Sequence, residues 1–307
     1  MKSIRDLVPL EYLDFLEEVG GDFGLTQGLG GNCSYKNGDR MLVKASGMRL
    51  DDVTSSRYFY EVGLDEGGYC ELEDSQKGKP SIEVSLHALL PAKFVLHLHS
   101  TKAVALSMIL DQSEPERAII SEAGAALVPY CRPGVELRNA INVSYESTKA
   151  SVFLLQNHGV IYSADSVQDL RGLVHNFELL WGSLLNPKEP RQFTPTTFNA
   201  TLTLPESQLV QWHARNNWRL SPDHTVFLGS EPQPWLRALA NREIAMIMSR
   251  LKGANTPLGV KEEQLLWFIN VVLNLPKRKL STLPLQEAEE LRNWDLEKHR
   301  TAQVRNK

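Results

Sequence analysis

Two histidines one residue apart, in Lys93-Phe-Val-Leu-His-Leu-His99, are the strongest chemical signal in the chain. Side chains alternate between faces along a β-strand, so His97 and His99 would project together with Val95 while Phe94, Leu96 and Leu98 fill the other face. Two neutral imidazoles on one stiff strand can reach a single cation, at about 2.0–2.1 Å each for zinc. A third donor is His158 in Gln156-Asn-His-Gly159, which follows the apolar stretch Val152-Phe-Leu-Leu155. Three protein ligands leave a coordination position for substrate or water, which separates a catalytic zinc site from a structural one. The same residues also read as partly buried polar side chains and a turn histidine, because an HxH pair alone has low specificity.

Glu83 lies upstream, at the head of a short helix expected over 82–90. Beside a divalent cation a carboxylate can ligate it, or act as a general base whose pKa is set by the metal's charge and by burial. A Lewis acid on a carbonyl makes the neighbouring C–H or C–C bond labile by stabilising the enediolate charge that develops, and Glu83 would then move the proton. Without the histidines, Glu83 reads as a first-turn glutamate favoured by the helix dipole. Gly28-Leu-Gly-Gly-Asn32 and Ala45-Ser-Gly47 offer small residues and free backbone N–H groups, a concavity of the type that binds anions. Glycine clusters also mark plain turns. The remaining histidines, His87, His175, His213, His224 and His299, read as helix-surface or turn residues.

The elements that must position these groups form an α/β pattern. Ile4, Leu7, Leu10, Leu13 and Leu16 make one apolar stripe, predicting an opening helix over 3–19 that begins or breaks near Pro9. Ser34-Tyr-Lys, the turn Asn37-Gly38 and Met41-Leu-Val predict a β-hairpin. A strand is expected over 57–62, a polar loop over 65–80 and a strand over 93–99. Helices are expected near 100–110, 116–125, 136–149 and 166–185, with strands near 126–129, 151–156 and 159–162. Residues 187–205 hold four prolines and read as a linker, so the first domain is placed at 1–187, the linker at 188–205 and a C-terminal extension at 206–307. That extension contains five of the six tryptophans and amphipathic segments near 206–218, 234–252 and 261–274, so it should fold.

Bulk properties exclude several classes. A net charge of -4 with interspersed signs gives no footprint for nucleic acid. The amino terminus runs into charged residues, so no secretory signal is expected, and the longest apolar run, 265–275, is too short to span a bilayer. Three widely spaced cysteines without a CxxC pattern fit reduced thiols in a cytoplasmic protein.

In chain order, Gly30-Gly-Asn-Cys-Ser34, Lys44-Ala-Ser-Gly47, Ser81-Ile-Glu83, His97-Leu-His99-Ser and Asn157-His-Gly159 resemble the motifs of the class II aldolase/adducin family, over about residues 5–185. Ser221-Pro-Asp-His224 faintly resembles a segment of longer rhamnulose aldolase-like members. The resemblance implies an α/β/α layered domain around a central, mainly antiparallel sheet, and homotetramers with sites between subunits. It implies Zn2+ on His97, His99 and His158, with Glu83 as acid/base and resting-state fourth ligand. Asn32, Ser46, Gly47 and Ser81 match positions that bind the substrate phosphate. Leu29 and Ile82 stand where phosphate-binding members tend to carry hydroxyl residues, which removes two donors and leaves open whether the substrate carries phosphate. No tyrosine occurs between Pro80 and Pro129 to match the family's tyrosine acid, and Tyr130 is the nearest downstream candidate.

The expected function is therefore a zinc-dependent lyase acting next to a carbonyl of a hydroxylated, sugar-derived substrate. Epimerase, decarboxylase and dehydratase members share the same stage. A non-catalytic adducin-like binding module and Schiff-base chemistry on Lys44 are the readings from other classes.

Overall fold

The computed structural model of the chain describes residues 7–66, 68–72, 78–185, 212–213, 215–229, 259–273, 275, 280–295 and 297–298. The expected linker 188–205, the segment 234–252, most of 206–218 and His299 lie outside the described residues.

Helix α1 (Leu10–Gly21) starts immediately after Pro9, whose carbonyl accepts hydrogen bonds from the amides of Tyr12 and Leu13. Proline cannot donate within a helix, so it serves as a start. The hairpin pairs β1 (Asn32–Asn37) with β2 (Arg40–Lys44), and here the structure shifts the expected turn by one residue. Asn37 pairs with Arg40, so the two-residue loop is Gly38-Asp39, and of the two only Gly38 takes a positive φ, +63°. This register sends Met41 and Val43 into one buried cluster and Leu42 into another, and a one-residue slip would exchange them.

Strand β3 (Phe59–Asp65) is followed by β4 (Gly68–Glu71) inside the segment expected to be a polar loop. Tyr69, a good strand former, packs against the cluster of Met41, Val43 and Val62 and makes a short edge strand worthwhile. Next come α2 (Val84–Leu89), β5 (Phe94–Leu98), α3 (Thr101–Ser107), α4 (Glu114–Glu122), β6 (Ala125–Val128), α5 (Val135–Thr148), β7 (Val152–Leu155), β8 (Gly159–Ala164) and α6 (Val167–Leu185). The eight-stranded sheet runs β4-β3-β2-β1-β5-β8-β7-β6, antiparallel throughout except for the β6–β7 pair. Central β5 shows the expected alternation. Phe94, Leu96 and Leu98 join the core under α1, α3 and α6, whereas Val95 joins the core under α2 and α5. The architecture is the α/β/α sandwich anticipated.

C-terminal elements pack onto this sandwich. Helices α7 (Pro222–Leu228), α8 (Val260–Leu273) and α9 (Leu285–Asn293) form a group in which α8 contacts α3 and α7, and α9 contacts α7. Leu265 through Ile269 are all buried, in the same apolar cluster as Ala103–Leu106 of α3. The apolar run that follows the polar first turn of α8 belongs in an interior, and it is in one. Among the described residues no helix is long and apolar enough to cross a membrane. The thiols of Cys33, Cys70 and Cys131 are all free.

Gly159 opens β8 against β5, and a Cβ there would fall inside contact distance of the Leu98 carbonyl oxygen. Gly159→Ala should therefore destabilise the protein by about 1–3 kcal/mol, as overpacking against rigid backbone does. Urea denaturation would read this, and an unchanged midpoint would mean that the β5–β8 pair relaxes freely.

Candidate metal centre and its cavity

β5 holds His97 between two neighbours, opposite Asn32 of β1 and Ile161 of β8. Its Nδ1 donates to the Val160 carbonyl oxygen at 3.1 Å, which turns Nε2 inward. His99 lies just beyond the strand end, before Ser100, whose hydroxyl caps α3 by accepting from the Ala103 amide at 3.2 Å. His158 sits in the tight β7–β8 turn behind Asn157, which takes a positive φ of 57°. Asparagine tolerates that conformation, and its side-chain amide also donates to the carbonyls of Leu220 and Ser281, both at 2.8 Å.

The three imidazoles converge. Their donor atoms all lie within 4.8 Å of one another and all three residues are buried. The Nε2 atoms of His97 and His99 are only 3.0 Å apart. Glu83 closes the group, with Oε2 at 3.6 Å from His97 Nε2 and Oε1 at 3.6 Å from His158 Nε2. Burial pushes the His97 pKa down to about 4 and that of His158 to about 3, against the opposing pull of Glu83. Both are therefore neutral near pH 7, the form that ligates metal. Burial would raise Glu83, but the facing His97 and His158 and the Asn32 amide outweigh it and hold the carboxyl at about 2.

This donor set fits a divalent cation. His99 Nδ1 faces Asp223 Oδ2 at 3.3 Å. With the Nδ1–H of His97 and that of His99 directed at oxygen acceptors, both inward Nε2 atoms present lone pairs, which repel unless a proton or a cation stands between them. His158 Nδ1 and Glu83 Oε1 have no hydrogen-bond partner among the described residues. Buried polar atoms are rarely left so, and Glu83 Oε1, which faces His158 Nε2, would find its partner in a bound cation.

Supporting contacts extend outward. Asn32 Nδ2 donates to Glu83 Oε2 at 2.6 Å, and Asn32 Oδ1 meets His87 Nε2. His87 Nδ1 lies 2.8 Å from the Ser34 hydroxyl. His87 was expected on a helix surface; it is fully buried and orients the Asn32 amide. Its signal was its place four residues after Glu83, one turn along the same helix face. His213 and His224 are likewise buried rather than on a surface, with His224 stacked on Phe268, while His175 is exposed as expected. Asp223 enters from the C-terminal region, fixed by a short capped helix in which Ser221 Oγ accepts from the His224 amide at 3.2 Å and Pro222 follows the cap. Gly30 is needed beneath it, since a Cβ there would come within 2.6 Å of His99 Nδ1.

The structure brings the expected substrate-side residues to the same place. Asn32, Ser46, Gly47 and Ser81 line one cavity of about 40 Å3 with Glu83, His99 and His158. Leu29, Ile82 and Lys44 also line it, and Lys44 Nζ donates to the Met48 carbonyl at 2.6 Å. Tyr130 is not brought there. Its hydroxyl donates to Glu287 at 3.0 Å, and burial together with that carboxylate raises its pKa. Asp223, from the Ser221–His224 segment singled out in the sequence, and Glu297, to which sequence reasoning gave no role, also line the wall.

An α/β/α sandwich with a buried three-histidine group at the edge of its central strands defines a class of metal-site proteins. Residues 16–181 match the Class II Aldolase and Adducin N-terminal domain, and the chain belongs to that family. It is 31% identical over 169 residues to the L-fuculose phosphate aldolase of Escherichia coli (strain K12), covering 51% of this chain and 73% of that protein. It is 25% identical over 214 residues to the uncharacterized oxidoreductase YuxG of Bacillus subtilis (strain 168), covering 68% of this chain and 26% of that one. Among solved structures, the N-terminal class II aldolase domain of a conserved protein from Thermoplasma acidophilum aligns with a TM-score of 0.47 at 22% identity, over 61% of this chain and 96% of that one.

Replacing Asp223 by Asn removes the charge that orients His99. Outer contacts of this kind are typically worth about 10–100-fold in metal affinity, so D223N should weaken divalent-metal binding by that factor in a chelator competition. Unchanged affinity would reduce Asp223 to packing.

Proposed function

We propose that the protein is a zinc-dependent lyase that cleaves a C–C bond next to a carbonyl in a hydroxylated, sugar-derived substrate. The observation that carries this reading is the convergence of the His97 and His99 Nε2 lone pairs, 3.0 Å apart, beside the Glu83 carboxylate. His97, His99 and His158 would hold the ion, which when bound polarises the substrate's carbonyl and stabilises the charge that develops there as the bond breaks.

The remaining work falls to this chain's own groups. Glu83 carries the proton to or from the carbon beside the carbonyl, and Asn32 holds its carboxylate in place at 2.6 Å. Asn32, Ser46, Gly47 and Ser81 seat the far part of the substrate. Leu29 and Ile82 exclude water from that end of the cavity. Family membership supports a homo-oligomer, a tetramer by preference, and free thiols support a cytoplasmic location.

Two variants test the division of labour. His97→Ala should lose metal and turnover together, as read by elemental analysis and an aldehyde-release assay with a panel of hydroxylated ketoses. Glu83→Gln should retain the metal yet lose about 10²–10⁴-fold in turnover, the usual range for a general acid–base. Full activity in verified metal-free protein would refute the proposal.

Proton competition gives a further check. Because burial lowers His97 to about 4 and His158 to about 3, protons displace metal from them only as the pH falls toward those values. Proton competition at His97 and His158 should therefore be slight from about pH 8 to pH 6, where imidazoles at their ordinary pKa of about 6.5 would already lose ligand character. Protonation of His97 and His158 between those pH values, followed by NMR of their ring signals, would show that these two titrate as exposed imidazoles.

A further inference from the structure

In the sequence, loop 28–32 offers N–H groups for an anion, and the fold supplies one from the chain itself. Glu263, in the first turn of α8, accepts from the Gly28 amide through Oε2 and from Arg49 Nη1 through Oε1, the latter at 2.9 Å. Its side chain is only 8% exposed. Three residues earlier, Val260 packs with Leu29 and Phe227. One turn of α8 thus grips Gly28 and Leu29 through backbone and side chain together.

The two partners of Glu263 belong to different loops. Gly28 opens the loop that ends at Asn32, whose amide donates to Glu83 at 2.6 Å. Arg49 closes the loop that carries Ser46 and Gly47. Both loops wall the cavity, through Leu29, Gly31 and Asn32 on one side and Ser46 and Gly47 on the other, while Glu263 stands behind the wall and does not line it. Neither loop has much slack. The Gly30 amide donates to the Gln27 carbonyl and the Ser46 amide to the Lys79 carbonyl, both at 2.9 Å, and a Cβ on Gly31 would fall within 2.8 Å of the His97 carbonyl oxygen. A displacement at Gly28 or Arg49 is therefore passed on to the groups that face the substrate. Asp51 Oδ1 also holds Arg49 Nε, at 3.2 Å, from within its own loop. Losing Glu263 would leave the guanidinium that partner and remove the tie between the loops.

We infer that Glu263 is a positioning residue, an internal carboxylate that ties loops 28–32 and 45–49 into one wall and so fixes the hydroxyl-seating end of the cavity. This rests on the metal-centred reading above and adds to it the group that shapes its substrate side. Glu263 lies beyond residues 16–181, which match the family domain, so this shaping comes from the C-terminal region.

The test uses the full-length protein loaded with Co2+, whose visible absorption reports on ligands at the metal. Acetohydroxamate and glycolohydroxamate offer the metal the same pair of oxygens and differ by one hydroxyl at the far end, so the ratio of their affinities isolates the seating of that hydroxyl. Glycolohydroxamate should bind about threefold or more tightly than acetohydroxamate, the contribution of one hydrogen bond. Glu263→Gln, an isosteric change, should bring that ratio close to one while leaving the affinities for Co2+ and acetohydroxamate unchanged. Arg49→Gln should do the same, and the double variant should be no worse than either alone, as groups acting through one contact behave. Should E263Q not fold, R49Q carries the same comparison. A lowered melting temperature with an unmoved ratio would make Glu263 a structural brace only and overturn the inference, as would equal affinities for the two probes in the unmodified protein; either result leaves the metal centre standing. If neither probe perturbs the cobalt spectrum, the metal-centred reading fails and this inference falls with it.

Discussion

Two imidazole nitrogens facing each other at 3.0 Å with their protons directed outward are the constraint on which the centre of this protein depends. Each outward proton is fixed by an acceptor: the Val160 carbonyl for His97 and the Asp223 carboxylate for His99. Both acceptors are held within regular elements. One belongs to the backbone of a central strand, and the other to the first turn of a capped helix. The tautomers are thereby set by the fold before any ligand arrives, which is the preorganisation a metal site requires.

Such an arrangement is costly in a metal-free chain. A buried polar atom without a partner typically costs about 1–3 kcal/mol, and His158 Nδ1 and Glu83 Oε1 are two such atoms among the described residues. Anything that binds only the folded state offsets this by mass action, with about 4 kcal/mol gained at a thousandfold excess over Kd. The sandwich tolerates the site because the flanking cores are dense. Phe94, Leu96 and Leu98 lie on one side of β5, with Val95, Phe153 and Ile161 on the other, and all are essentially buried. The histidines are paid for by the strands that carry them.

The central half of this design is legible in the sequence. Period-two alternation around His97 and His99 gives their common face, and the ordered motifs give the sandwich and the Glu83–His158 pairing. Less legible were features governed by contacts between distant segments. The hairpin turn moved by one residue because the buried clusters on both faces of β2 decide the register, and local turn chemistry does not distinguish the two. β4 emerged from a polar stretch because β3 offered it an edge. His87 could have been found from its i, i+4 relation to Glu83. No local pattern could place Asp223 on His99, because the two are brought together by the packing of α7 on α8 and of α8 on α3.

That last contact changes how the C-terminal region relates to the centre. Asn157 ties the His158 turn to Leu220 and Ser281, and Arg132 makes a two-pronged ion pair with Glu287 of α9 at 3.0 and 2.7 Å. Paired guanidinium–carboxylate hydrogen bonds of this geometry are strong and directional. The region is thus joined to the metal-site turn, to the wall of the cavity and to a ligand-side histidine at once. Free-energy coupling between two events is reciprocal, so whatever docking of the C-terminal helices does for the tautomer of His99, occupation of the histidine site does for docking. The C-terminal helices and the three-histidine group are in this sense one structural unit, although they come from separate parts of the chain.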